Sequence, residues 1–206
     1  MKDPTHVFEG EVSPRQILIA RVISVITQPT IITIPTFAVL CTPLLPDLWA
    51  YAFAVFVTTL MITVIPTLNV YYFSWKTNNK DGDIVKREER IIPMIVGLGL
   101  YFLAAIVIWF IEAPQIVKIF AWVYPVSTTI VGIISTKWKI SIHMTGVAGP
   151  VTTLGFFAFP WGWLTAILFP IVAWARYVQK KHTPAQLICG AVEGIIVTSV
   201  MLVLLL

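Results

Sequence analysis

Charge is what this chain has least of. Asp, Glu, Lys and Arg together make up 12% of its 206 residues, about half the share usual in a soluble domain. That scarcity, with 58% hydrophobic residues and a mean hydropathy of +0.88, excludes an ordinary water-soluble fold. Cysteine is almost absent too. Cys41 and Cys189 lie in or beside apolar runs with no ligand-like spacing, which speaks against a disulfide framework or a zinc site. Carboxylates and histidines form no group at metal-ligand spacing, so no metal and no cofactor is expected. The N-terminal stretch Met1 to Pro14 carries Asp3, His6, Glu9 and Glu11 and lacks a basic region followed by a short apolar segment, so no removable signal peptide is expected. A net charge of +4 and a pI near 9.1 do not indicate nucleic acid as a partner. In so apolar a chain, Lys and Arg mark loops on the cytoplasmic side.

What is abundant is long apolar sequence. Runs able to span a bilayer occur at about 16–42, 47–74, 92–112, 116–136, 144–159, 161–178 and 184–206, since a crossing needs roughly 20 apolar helical residues. The expected fold is therefore all-α: a polytopic transmembrane helical bundle of about seven helices, or six, forming a single integral membrane domain over 1–206. Pro43 to Asp47, Ala113–Pro114 and Pro160-Trp161-Gly162-Trp163 separate runs with almost no cations, whereas the connections at 75–91, 137–143 and 176–183 are basic. If each run crosses once, every Lys and Arg except Lys118 falls on the N-terminal side or in the first turns leading from it. That bias predicts a cytoplasmic basic face. Pro29, Pro35, Pro66, Pro125 and Pro170 predict kinks, tolerated where neighbouring helices satisfy the freed carbonyls. Gly190 and Gly194 predict close helix contact.

Three polar clusters, far apart in sequence, share that basic face. They are Lys80 to Pro93, with Lys86, Arg87 and Arg90; Lys137 to His143, with Lys139 and Ser141; and Arg176 to Gln186, with Lys180, Lys181 and His182. Histidine serves as nucleophile or proton donor near neutral pH, and the planar fork of arginine matches phosphate oxygens. Two histidines among several cations suit phosphoryl transfer, whose transition state spreads negative charge over equatorial oxygens.

At these residues the chain resembles the type 2 phosphatidic acid phosphatase family, whose membrane members are lipid phosphatases and whose wider superfamily includes vanadium haloperoxidases. Arg176, five residues, then His182 reproduces the spacing of the family's third motif, and the helix Gln186 to Gly194 looks like the one that follows it. Ser141-Ile142-His143 keeps the Ser and His of the second motif but has Ile140 and Ile142 for its Pro and Gly. For the first motif, Lys80 and Arg87 have the spacing but Glu88 follows, while Arg90 precedes Pro93 by three residues. The resemblance places a phosphatase-like core at about 80–206. It implies that His182 attacks phosphorus to form phosphohistidine, that His143 protonates the leaving alcohol, and that Arg176, Ser141, Arg87, Arg90 and Lys80 hold the phosphate without a metal. Gln186 stands where the family has the aspartate that orients the nucleophile; its amide oxygen accepts an N–H but carries no charge. The implied activity is hydrolysis of a lipid phosphate or diphosphate monoester within the membrane. Phosphoryl transfer to an alcohol, and a transporter or non-catalytic scaffold, are the alternatives. A transporter would show ionisable groups at mid-membrane and paired broken helices, and only Glu193 fits that pattern.

Overall fold

The computed structural model describes residues 12–76 and 87–206, and among these every regular element is helical. The helices are α1 (Pro14–Ile26), α2 (Pro29–Leu40), α3 (Leu48–Thr58), α4 (Ile65–Lys76), α5 (Arg87–Phe110), α6 (Gln115–Ser135), α7 (Ile142–Phe157), α8 (Leu168–Val178) and α9 (Pro184–Leu205). A π-helical segment, Thr59–Val64, joins α3 to α4, and a tight 3-10 segment, Trp161–Ile167, leads into α8. Five stretches are long and apolar enough to cross a bilayer, and α1 with α2 makes a sixth if that pair, bent by 49°, is one span. The sequence expectation of one run over 16–42 is thus divided: the chain breaks at Thr27–Gln28, where Pro29 has no N–H to continue the helix.

Several helices start where side chains satisfy the free N–H groups of the first turn. Ser13 and Gln16 cap α1 reciprocally, and Pro14 supplies a first position that needs no donor. Asp47 accepts from the N–H groups of Trp49 and Ala50 at the head of α3. Thr183, Pro184 and Gln186 repeat the first arrangement at α9. Within the bundle, Thr33 Oγ1 lies 2.6 Å from Thr63 Oγ1, and Thr67 donates to Thr30 at 2.7 Å, tying α2 to the π segment and α4. Such bonds between membrane helices contribute about 0.6 kcal/mol each.

The contact that organises the second half of the chain is between α7 and α9, which run parallel. Ser141 N–H donates to the carbonyl of Gln186 at 3.3 Å, and Thr145 Oγ1 donates to that of Gly190 at 3.0 Å. Glycine makes the approach feasible. A Cβ at Gly190 would sit 2.5 Å from the Ser141 carbonyl oxygen, and one at Gly194 would sit 2.6 Å from Ala148 Cβ and 2.7 Å from the Thr145 oxygen. On the other flank of α7, Gly146 admits the ring of Pro29, so the broken start of α2 also docks there.

Replacing Gly194 with Leu must push α9 off α7, a cost of about 1–3 kcal/mol by analogy with overpacked cores. The expected result is an earlier midpoint in detergent-mediated or thermal unfolding. Gly99→Ala, where a Cβ would meet nothing within 4 Å, is the control and should leave the midpoint unchanged.

Candidate functional site

Because α7 and α9 run parallel and close, their N-terminal ends lie at the same rim of the bundle. His143 occupies the first turn of α7, and His182 immediately precedes Thr183, the capping residue of α9. Arg176 ends α8 at the same rim, because only a short connection separates α8 from α9. Each helix N-terminus carries unsatisfied N–H groups and the positive end of its dipole, which favours an anion there.

His143, Arg176 and His182 all line one cavity of about 960 Å³, together with Lys180 and Lys181. Arg176 is 3% exposed and His182 5%, so both are held largely out of bulk solvent, where electrostatic interactions are stronger than in water. From this rim the cavity runs into the bundle past Pro29 and Gly149 to Tyr101, Phe120 and Tyr124. Phe120 and Tyr124 pack edge to face with centroids 5.3 Å apart, and Tyr101 lies 5.4 Å from Tyr124. The lower walls are therefore broad, aromatic and largely apolar, suited to a hydrocarbon tail.

Other residues singled out from sequence sit differently. Ser141 is fully buried; its hydroxyl accepts from the N–H of Met144 and caps α7, and it does not line the cavity. Gln186 is buried as well, and its amide oxygen accepts from the N–H of Thr183 at 3.0 Å. Arg87 and Arg90 open α5, and Lys80 lies outside the described residues. Glu193 has a partner within the bundle: Ser127 Oγ donates to its carboxyl oxygens at 2.8 and 3.1 Å. Among the described residues, no group of three or more His, Cys, Asp or Glu is arranged to hold a metal ion.

One element of the site escaped the sequence reading. Helix α1 forms a wall of the cavity and contributes Arg21 to it. It is held there by Gln179, whose side-chain amide donates to the carbonyl of Ala20 at 2.9 Å and to Ser24 Oγ at 2.6 Å. The signal was available, since Arg21 is a lone cation inside the apolar run Ile17 to Ile26, and charges in such runs face a protein interior or a wet cavity.

No family model matches this chain, and neither a curated protein nor a solved structure does.

Gln179→Ala removes both bonds to α1. It should lower stability by about 1–2 kcal/mol and raise amide exchange in α1 selectively, leaving α7 and α9 protected in the same hydrogen-exchange experiment.

Proposed function

We propose that the protein is an integral membrane phosphatase that removes phosphate from a lipid phosphate or diphosphate through a phosphohistidine on His182. The observation that carries this reading is the shared cavity. Two histidines from separate elements and a buried arginine line its rim, while aromatic and aliphatic side chains line its depth.

His182 attacks the phosphorus, its imidazole replacing the ester oxygen. His143, on the neighbouring helix, gives a proton to the departing alcohol. Arg176 presents several donors to the equatorial oxygens, where charge develops in the transition state. Water then attacks phosphohistidine, orthophosphate leaves, and the imidazole is restored. The residues needed belong to the chain itself, and the lipid supplies the alcohol. The resemblance to the type 2 phosphatidic acid phosphatase family supports the same assignment of roles. A phosphate at the rim with its tail among the helices keeps the substrate in its own leaflet throughout.

The topology that accompanies this reading has seven crossings, with α7 as the short one. Its 16 residues make about 24 Å of helix, less than the roughly 30 Å of a hydrocarbon core. The middle of α7 is buried by its neighbours, so its ends need not reach the headgroups unaided. With α6 and α8 on either side of it, a crossing α7 keeps Arg87, His143, Arg176 and His182 at one face. The excess of Lys and Arg on that face makes it the cytoplasmic one.

The test is phosphate release from a panel of lipid monophosphates and diphosphates by the detergent-purified protein. His182→Ala is expected to abolish release and His143→Ala to slow it by roughly 10²–10⁴-fold, the usual range for a lost general acid. Release unchanged in both variants would refute the site.

A further inference from the structure

Lys180 adopts a backbone conformation that lysine avoids. Its φ is +56°, in the left-handed region where a side chain's Cβ crowds the following carbonyl. The cause is the way α8 ends. Lys180 N–H donates to the carbonyl of Tyr177 at 2.8 Å, and Lys181 N–H to that of Arg176 at 3.1 Å. These paired bonds close a helix through a left-handed residue, a position at which glycine is the usual occupant because it bears no such strain. A cation near a helix C-terminus is favourable, but Lys181 beside it already supplies one.

Lys180 also lines the cavity and has no ion-pair partner among the described residues. Arg21 shares both properties: it lines the cavity from α1 and has no ion-pair partner among the described residues. The Gln179 bonds to Ala20 and Ser24 bring the two segments together, since Gln179 precedes Lys180 and Ala20 precedes Arg21. Among the described residues no Asp or Glu lines this cavity. Among the described residues these two cations thus have no counter-charge, and they sit beside a rim that already holds Arg176, Lys181 and two histidines.

We infer that Lys180 and Arg21 form a second anion subsite, which holds a further phosphate adjoining the one at the histidine pair and so selects lipid diphosphates over monophosphates. This rests on the phosphatase reading for its chemistry. His182 attacks the terminal phosphorus, and the bridging P–O bond breaks with its electron pair passing to the leaving lipid monophosphate. Lys180 and Arg21 hold that group's charge, and His143 supplies its proton. Water then attacks phosphohistidine, releasing orthophosphate and returning a proton to His143.

The strain gives the test opposite signs for stability and recognition. Thermal unfolding of the detergent-purified full chain is followed with methylenediphosphonate, a diphosphate that cannot be cleaved, and with orthophosphate. The wild type should be stabilised by the diphosphonate at a concentration about tenfold lower than by orthophosphate, equivalent to the charge-assisted contacts of one further phosphate. Lys180→Gly should melt no lower than wild type without added anion, and should lose that preference. Arg21→Gln should lose it as well. A preference that survives Lys180→Gly, or a wild type that shows none, overturns the subsite. The same titration on His182→Ala should retain the preference. Phosphate release persisting in His182→Ala would remove the histidine reading separately, without touching the comparison of anions.

Discussion

Close parallel packing of α9 against α7 is the constraint on which the remainder depends. Two helices can approach this nearly only where side chains are missing, and Gly190 and Gly194 provide a flat strip against Ser141, Thr145 and Ala148. In lipid the hydrophobic effect does not drive helices together, so van der Waals fit and interhelical hydrogen bonds must do so. Both are present here: the Thr145 hydroxyl bonds to the Gly190 carbonyl, and the Ser141 N–H to that of Gln186. The consequence is positional. Parallel helices begin at the same rim, and the residue just inside one start and the residue just before the other are histidines. Their two positive dipole ends converge there with Arg176, an arrangement that favours an anion before any ligand arrives.

The same packing explains the division of the cavity into a charged rim and an apolar depth. The described cations other than Arg21 lie in connections or within about one turn of helix ends, where a long side chain keeps its head in a wet zone, while Tyr101, Phe120 and Tyr124 line the interior. Glu193 is the exception, an acid about seven positions deeper along α9 than Gln186. Its carboxyl is bonded by Ser127 from α6, which gives it a structural tie between helices rather than a place at the rim. The broken first span belongs to this design too. By bending at Pro29, the chain lets α2 dock on Gly146 while α1 leans on α8 through Gln179, and Arg21 is carried to the cavity wall.

Much of this was legible in sequence because membrane helices leave a strong one-dimensional trace. The run at 184–206 became Pro184–Leu205, and 161–178 became the 3-10 segment and α8 together. Thr183-Pro184 and Ser13-Pro14 are local signals that need no tertiary information, since the cap hydroxyl and the donor-free proline act within one turn. The bend between α1 and α2 was not legible as such: several prolines lie within the apolar runs, and only the fit of Pro29 to Gly146, over a hundred residues away, fixes that one as a break. The π segment at Thr59–Val64 runs up to Ile65-Pro66, and its Thr63 meets Thr33. For the site, His143, Arg176 and His182 could be chosen from spacing and face. Ser141 and Gln186 could not be sorted from them, because a capping side chain and a phosphate ligand use the same residue types. The left-handed turn at Lys180 leaves no mark in the sequence, where a glycine would have.

Phosphoryl transfer by the histidine pair requires one rim to hold both imidazoles close enough to share a phosphorus centre. An experimental structure of the protein in a lipid nanodisc with bound orthophosphate addresses it most directly. The account predicts phosphate within hydrogen-bonding distance of His143, Arg176 and His182 together. Imidazoles on opposite faces of the bilayer, or phosphate bound away from both, would contradict it.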